Sequence, residues 1–262
     1  MSFATDTFRS FLQTRWLGQD LAHFADIDST SAHLKREARS GTALTEGLVV
    51  LADAQSAGYG QHGRAWSSAE QRGLYTSIWL PAHYAQRPLT LLAGVATVEA
   101  LRVLTAEESI GLKWVNDLVA QGRKLGGILA EMVGGPGNTG GRHGLILGIG
   151  LNLVAQEAQP EAIALSHLAP LPSREQLLAS MLNRLEHWLD RVTTEGEEVL
   201  CDRWRTYSVT LGQHVRAQLH TETIEGLAED ITRTGALRIR RPDGTMREIA
   251  SGTVRLADGR YC

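Results

Sequence analysis

The sequence lacks the features that mark several classes of protein. It has only two cysteines, Cys201 and Cys262, far apart along the chain, which excludes a disulfide framework and a cysteine-rich zinc site. It contains no run of about 20 apolar residues, which a membrane helix needs, and its N-terminal segment has no apolar signal-peptide core. We therefore expect a cytoplasmic protein without a membrane partner.

Basic residues are not in excess either. The 262-residue chain has 26 Lys and Arg against 29 Asp and Glu, a formal net charge of −3. It therefore lacks the basic field that holds nucleic acid by counterion release, and we expect no nucleic-acid partner. The hydrophobic content of 43% and the charged content of 21% are typical of a globular protein with a sizeable core.

Hydrophobic patterns divide the chain into two parts. Helical spacing between Phe8 and Leu21 is followed by three kinds of signal: N-cap residues at 28–30, long apolar stripes and short Val- and Leu-rich runs. They predict helices at 32–40, 89–104, 175–192 and 196–208, and strands at 48–55, 73–80 and 143–154. After residue 208, short strands alternate with turns. We predict an α/β domain over residues 1–208 and a small all-β domain over residues 209–262.

A hairpin is predicted in the middle of the first part. The segments 111–120 and 124–133 flank Gln121-Gly122-Arg123, a short connection that contains glycine. A tight connection would bring Asp117 close to Lys124. The glycine pair at 126–127 would either let a ligand lie on the strand backbone or mark a β-bulge. The glycine-rich stretch at 134–144 predicts a mobile loop.

Lysine is rare in a chain that otherwise uses arginine. There are three lysines among the 26 basic residues, and Lys113 and Lys124 both fall in the hairpin region. A retained ammonium favours a site that needs a compact point charge, although two exposed strand ends would explain the same observation.

A glycine-rich loop follows the strand at 48–55. Residues 58–63 fit the dinucleotide fingerprint G-x-G-x-x-G, but the chain continues into a strand instead of a helix, and no acidic residue follows about 20 positions later as that fold requires. The loop carries Gln61, His62, Arg64 and Trp66, which suit closure over an anionic ligand. An ordinary surface loop with one buried tryptophan is the alternative.

Five sequence blocks resemble those of biotin–protein ligases and occur in that family's order. They are DST at 28–30, AxxQxxGxGxxGRxW at 52–66, KWVNDL at 113–118, GRKLGGIL at 122–129 and GIGLN at 148–152. The C-terminal segments LGQHV, EGLAEDITRTGAL and GTVRL resemble the family's small last domain. The resemblance implies a mixed α/β (α+β) catalytic domain related to class II aminoacyl-tRNA synthetases, with a C-terminal SH3-like β-barrel.

The resemblance also implies an activity. Members of the family activate biotin with ATP and Mg²⁺ to give biotinyl-5′-AMP and then pass biotin to a carrier lysine. The implied carrier is the biotin carboxyl carrier protein of acetyl-CoA carboxylase. Because the family often dimerises through sheet edges, a homodimer is possible.

Site residues follow from the resemblance by position. The implied biotin-binding residues are Ser29, Thr30, Ser31, Gln55, Tyr59, Gly60, Gln61, Lys124, Gly127 and Leu129. The implied ATP- or AMP-binding residues are Gln61, Arg64, Trp66, Asn116, Lys124 and Asn152. The implied catalytic residues are Lys124, Arg64 and Asp117, the last to orient and deprotonate the acceptor lysine. Mg²⁺ ligands cannot be assigned, because phosphate oxygens and water supply many of them.

The chain departs from the family pattern at three positions. Tyr59 and Gln61 stand where family loops usually carry arginines, and Val115 replaces the usual proline of KWPNDL. A loop with fewer cations closes less tightly on an anion. We therefore expect biotinyl-AMP to escape faster than from a ligase with both arginines.

Three other functions compete with ligation of biotin. A lipoate or octanoate ligase or transferase shares the fold, but the polar pair at 29–30 suits a urea better than a dithiolane. A biotin-responsive repressor needs a winged-helix module of about 60 residues, whereas only 27 residues precede Asp28. A non-catalytic biotin-binding module would bind biotin without using ATP.

Overall fold

The computed structural model describes residues 3–134, 143–155 and 161–262. Its helices and strands are, in chain order, α1 (Thr5–Phe11), β1 (Leu21–Ile27), α2 (Thr30–Arg39), β2 (Val49–Gln55), β3 (Gly73–Pro81), α3 (Leu89–Thr105), β4 (Gly111–Lys113), β5 (Asp117–Ala120), β6 (Arg123–Val133), β7 (Gly144–Asn152), α4 (Arg174–Glu195), α5 (Glu198–Tyr207), β8 (His214–Gln218), β9 (Thr223–Ile231), β10 (Leu237–Arg240), β11 (Met246–Ile249) and β12 (Thr253–Leu256).

The strands form two sheets. The larger has seven strands in the order β1-β2-β3-β7-β6-β5-β4, in which β1 and β2 are parallel and the other neighbours antiparallel. The smaller has five antiparallel strands in the order β11-β10-β9-β8-β12. The predicted fold class, a mixed sheet with helices and a C-terminal all-β unit, is confirmed. The predicted domain boundary at residues 208 and 209 stays a prediction.

Helices cover the large sheet on both faces. Successive residues of a strand point to opposite faces, and in β7 Leu147 packs in the cluster that contains α3 and α4, whereas Ile146 packs in the cluster that contains α2. α3 is apolar over most of its surface and is accordingly buried between the sheet and α4. On the opposite face of the sheet, α2 packs through Leu34 and Ala38 and covers only part of that face. The candidate site lies on the part of this sheet face that α2 does not cover.

Most predicted elements are confirmed, including the central position of β7. Two predictions are wrong. The helical spacing between Phe8 and Leu21 does not describe one helix, because α1 ends at Phe11 and Leu21 begins β1, which pairs with β2. The segment 111–120 is two short strands, because the chain turns at residues 114–116 and Lys113 of β4 pairs with Asp117 of β5. In this turn the Trp114 amide donates to Thr210 Oγ1 at 2.9 Å, and the indole N–H donates to the Gly235 carbonyl at 2.8 Å.

The predicted mobile loop at 134–144 lies mostly outside the described residues. Within the described ranges, none of the helices combines the length and the apolar character needed to cross a membrane.

Candidate functional site

A cavity of about 290 Å³ opens on the half of the large sheet that α2 leaves uncovered. Its floor is made of Ser77, Gly127, Gly148 and Gly150, which are small residues on three adjacent strands. Small residues are required because other groups approach the sheet closely. A Cβ atom at Gly150 would lie 2.7 Å from the indole nitrogen of Trp66, so only glycine lets that ring rest on β7.

The cavity has a buried polar wall where α2 begins. Ser29, Thr30 and Ser31 are all buried, and Ser29 caps the helix by accepting a hydrogen bond at 3.3 Å from a backbone N–H of its first turn. The hydroxyls of Thr30 and Ser31 each lie 2.8 Å from Ser77 Oγ, and Gln55 Oε1 accepts a hydrogen bond from the Thr30 amide at 2.9 Å. These contacts fix the directions of several donors and acceptors at one end of the cavity.

The hairpin places a lysine and a carboxylate in the same cavity. Lys124 Nζ lies 2.5 Å from Asp117 Oδ1, which confirms the predicted approach of the two residues. A register shift between β5 and β6 forms a bulge next to Lys124. Lys124 and Gly127 are three positions apart and would face opposite sides of a regular strand, but the bulge turns both toward the cavity.

A second lysine lies behind this pair. Lys113 is only 5% exposed, and its Nζ lies 3.9 Å from Asp117 Oδ2. Burial disfavours the ammonium and lowers the pKa of Lys113 to about 8, against an ordinary value of 10.5. The Coulomb attraction of Asp117 opposes this shift but does not cancel it.

The low pKa of Lys113 predicts a pH-dependent stability. Between pH 8 and 10.5 the unfolded chain binds more protons than the folded protein, so the unfolding free energy rises with pH in that window. From about pH 7 to about pH 10, wild type should gain roughly 2 kcal/mol relative to Lys113→Met, which has no titrating group there. Denaturant unfolding of both proteins across this range measures the difference. Two parallel stability curves would contradict the expectation.

The glycine-rich loop is held at both of its ends. Tyr59 Oη donates to Glu131 Oε2 at 3.0 Å, and Lys35 Nζ lies 2.6 Å from Glu131 Oε1. At the other end, Arg64 Nη2 donates to Thr253 Oγ1 of β12 at 2.9 Å. No α-helix begins between residues 58 and 73, all of which are described, so the dinucleotide-fold reading is excluded as predicted. Tyr59 thus anchors the loop to β6 as a neutral donor to a carboxylate.

A smaller cavity of about 80 Å³ lies next to Trp66. Trp66 lines both cavities, and its indole N–H is buried without a hydrogen-bond partner among the described residues. Asn152 lines the smaller cavity, and its amide lies 3.4 Å from the Lys124 carbonyl, which it faces as a donor. Asn116 Nδ2 donates to the Ile128 carbonyl at 2.7 Å. Both asparagines thus hold the backbone of β6, which carries Lys124.

The structure brings the predicted site residues together. All of them except Asn152 line the main cavity, from three separate parts of the chain. Further lining residues were not predicted from the sequence, among them Ser77, Lys113, Thr253, Arg255 and Tyr261. Only Lys113 left a signal, as one of two lysines in the hairpin region. The others reach the cavity through contacts distant in sequence.

Positive charge predominates around the cavity. Its lining contains four cationic side chains, of Arg64, Lys113, Lys124 and Arg255, and two carboxylates, of Asp117 and Glu161. Arg255 and Glu161 pair with each other at 2.6 Å. The remaining excess of cations suits an anionic ligand. Among the described residues, no group of three or more His, Cys, Asp or Glu side chains is placed to hold a metal ion.

Comparison with known families gives two matches. Residues 24–152 match the Biotin/lipoate A/B protein ligase family, and residues 210–256 match the biotin protein ligase C-terminal domain. The first match contains all of the predicted site residues, and the second covers most of the smaller sheet.

Individual proteins are similar over most of the chain. A biotin–[acetyl-CoA-carboxylase] ligase of Mycobacterium tuberculosis is 33% identical over 81% of this chain and 80% of its own length. A bifunctional ligase/repressor of Escherichia coli is 30% identical over 91% of this chain and 74% of its own length. The structure of a biotin protein ligase from Aquifex aeolicus in complex with biotin and ATP superimposes with a TM-score of 0.79, at 27% identity, over 91% of this chain and 100% of that chain.

Proposed function

Because the chain belongs to the biotin protein ligase family, we propose that it attaches biotin to a specific lysine of a carrier protein at the expense of ATP, through biotinyl-5′-AMP. One observation carries the proposal. A buried polar wall and a lysine–carboxylate pair, from distant parts of the sequence, face each other across a single cavity. The wall suits the uncharged head of biotin, and the pair suits its reactive end.

The polar wall supports binding of the ureido group. A urea has two N–H donors and one strong acceptor, and each group buried without a partner costs about 1–3 kcal/mol. Ser29, Thr30, Ser31 and Gln55 offer hydroxyl and amide groups that can meet them, with backbone of the 59–61 loop nearby. Gly127 and Leu129 then leave a channel along β6 for the aliphatic chain. This arrangement would direct the biotin carboxylate toward Lys124.

The first step joins two anions. An oxygen of the biotin carboxylate attacks the α-phosphorus of ATP, the bond from that phosphorus to the bridging oxygen breaks, and pyrophosphate leaves. At about 4 Å and an effective dielectric of about 20, two unit negative charges repel by about 4 kcal/mol. Lys124 and Arg64 line the cavity and would offset this repulsion. Trp66, Asn116, Asn152 and Gln61 would surround the adenylate.

The second step needs an amine. The nitrogen of the carrier lysine attacks the carbonyl carbon of the mixed anhydride, an amide bond forms, and AMP leaves with the electrons of the broken carbon–oxygen bond. The lysine must first lose a proton. Asp117 is the carboxylate nearest Lys124 and is the proposed acceptor of that proton.

Mg²⁺ enters this scheme with the substrate. The described residues offer no cluster of carboxylate or imidazole ligands for it, and Mg²⁺ is commonly held through substrate phosphates and water. We therefore propose that the nucleotide binds as its Mg²⁺ complex, with Lys124 and Arg64 contacting the remaining phosphate charge. The proposed carrier is the biotin carboxyl carrier protein of acetyl-CoA carboxylase, and the proposed location is the cytoplasm. A homodimer stays a prediction.

Biotin-dependent exchange of pyrophosphate into ATP tests the proposal. Exchange requires reversible formation of the adenylate, so it should occur with biotin and should not occur with lipoate or octanoate. Exchange with lipoate or octanoate alone would assign the chain to the other branch of the superfamily. Binding of biotin without exchange would make it a non-catalytic binding module.

Two substitutions should distinguish the part of the cavity proposed to bind ATP from the part proposed to bind biotin. Arg64→Ala should raise the KM for ATP about tenfold or more and change the KM for biotin little, because it removes a charge-assisted contact to phosphate. Ser29→Ala should raise the KM for biotin by roughly fivefold and change the KM for ATP little, because it removes a neutral hydrogen-bonding group. Steady-state exchange kinetics measure both. Equal effects on both substrates would contradict the assignment.

A further inference from the structure

The C-terminal segment that follows β12 enters the candidate site. Tyr261 lines the main cavity, and its hydroxyl donates to Asp117 Oδ2 at 2.5 Å. The ammonium of Lys113 lies 3.6 Å from the centre of the Tyr261 ring. This contact joins residues 144 positions apart, and nothing in the reaction scheme above uses it.

The two oxygens of Asp117 have different partners. Oδ1 is buried and meets Lys124 Nζ at 2.5 Å, whereas Oδ2 meets the Tyr261 hydroxyl at 2.5 Å and Lys113 Nζ at 3.9 Å. Lys113 is almost fully buried and sits over the tyrosine ring. The tyrosine and Lys113 thus hold one edge of the carboxylate, and the other edge faces Lys124 on the cavity side.

We propose that Tyr261 is a positioning residue for transfer of biotin to the carrier. The Tyr261 hydroxyl holds Asp117 through Oδ2 and leaves Oδ1 directed at the cavity. Oδ1 meets the amine of Lys124 in the structure and would meet the amine of the carrier lysine during transfer. The inference rests on the proposed function and deepens it.

The replacement of Lys124 by the carrier lysine at Oδ1 follows from the charges in the cavity. When Lys124 turns toward the carboxylate and phosphate of its ligands, its ion pair with Asp117 is broken, and the buried Oδ1 is left with a vacant acceptor site. The carrier lysine fills that site as an ammonium, gives one proton to Oδ1, and attacks the carbonyl carbon as an amine while AMP leaves. The second proton of the attacking nitrogen is lost to solvent.

Tyr261 takes no proton in this step. Burial raises the pKa of its hydroxyl above the ordinary value of 10, with the charge of Asp117 acting in the same direction, so the hydroxyl stays protonated and stays a donor. The ring is fixed by the cation–π contact with Lys113. Beyond it, the backbone of Cys262 lies against the β5–β6 turn, where a Cβ atom at Gly122 would be 3.0 Å from the Cys262 carbonyl oxygen. The C-terminal segment therefore contacts the hairpin that carries Asp117 and Lys124.

Tyr261→Phe is the direct test, because it keeps the ring on Lys113 and removes only the hydroxyl. Single-turnover transfer from preformed biotinyl-AMP to a carrier domain should slow about tenfold. Without the hydrogen bond from Tyr261, Asp117 spends less time in the orientation that accepts the lysine proton. Biotin-dependent pyrophosphate exchange, the KM for the carrier and the melting temperature should stay close to wild type. Tyr84→Phe, which removes a tyrosine hydroxyl outside the cavity, is the matched control and should change none of these.

A double variant separates positioning from general loosening of the fold. If Tyr261 acts through Asp117, Tyr261→Phe should slow transfer no further in an Asp117→Asn background, whereas independent effects would multiply. Multiplied effects would overturn the proposal. Wild-type transfer rates in Tyr261→Phe, or an equal loss of exchange and transfer, would overturn it as well. Absence of exchange in the wild-type protein would instead refute the proposed function itself.

Discussion

Lys124→Ala should lower biotin-dependent pyrophosphate exchange by about 10²- to 10³-fold, the loss expected when a preorganised charge in a desolvated site is removed. The side chain is partly buried, lies 2.5 Å from Asp117, and is carried by a bulge whose backbone is fixed by Asn116 and Asn152. The backbone that carries Lys124 is therefore fixed, and only its side chain has to turn from Asp117 to meet the incoming anions. Binding of biotin should weaken much less, because the polar wall that we propose for the ureido group lies at the other end of the cavity.

Arg123→Ala is the matched control for this experiment. Arg123 precedes Lys124 on β6 and carries the same charge, but its side chain does not line the main cavity. Exchange in this variant should stay within a few-fold of wild type. Equal losses in Lys124→Ala and Arg123→Ala would show that general positive charge near the hairpin matters and that the particular ammonium does not.

Asp117→Asn should slow transfer from preformed biotinyl-AMP to the carrier by about 10²- to 10³-fold, within the range of general base catalysis. The amide keeps the shape of the side chain but cannot accept the lysine proton. Adenylate formation should fall much less, because Lys124 retains its charge. Single-turnover transfer and pyrophosphate exchange, measured on the same preparation, separate the two steps.

The buried surroundings of Asp117 require a stability control. Asp117→Asn removes the counter-charge from the buried Lys113 and should lower the melting temperature, whereas Asp20→Asn, an exposed position, should not. Transfer must therefore be measured well below the melting temperature. An Asp117→Asn protein that is folded and transfers biotin at the wild-type rate would remove Asp117 from the mechanism.

Much of the site is predictable from sequence because its determinants are local. Ser29 follows the N-cap rule, and Asp117 and Lys124 are joined by a short turn whose geometry leaves few alternatives. The glycine pair at 126–127 predicts close approach of another group, and a Cβ atom at Gly127 would indeed lie 3.4 Å from the Trp66 ring. In each case the residue type and a short spacing contain the needed information.

The remaining features depend on contacts between distant segments. The strand β1 is not predicted, and its first residue, Leu21, fits a helical spacing, because the pairing with β2 that forms the strand is not visible in the local pattern. The turn at residues 114–116 divides the predicted hairpin strand, and the groups that accept hydrogen bonds from Trp114 there lie in the C-terminal part of the chain. Tyr261 has no local pattern that marks it, and only its position in the fold brings it to Asp117.

Tyr59 changes the physical reason behind one prediction. The missing loop arginine was expected to leave the loop poorly closed, yet Tyr59 anchors it to Glu131 and thereby to Lys35. The loop consequently has a ligand-independent attachment to β6 while it lacks the cation. Faster escape of biotinyl-AMP stays a prediction, and Gln61→Arg, which restores a cation at the free part of the loop, should slow that escape.

We propose that one cavity joins the acid group of biotin to a nucleotide and then to a carrier lysine. Incubation of the protein with labelled biotin, a biotin carrier domain and MgATP tests it most directly, with omission of ATP and the Lys124→Ala variant as parallel reactions. We expect an amide-linked label on one carrier lysine in the complete reaction, and almost none without ATP or without Lys124. Labelling that is independent of ATP, or that persists undiminished in Lys124→Ala, would contradict it.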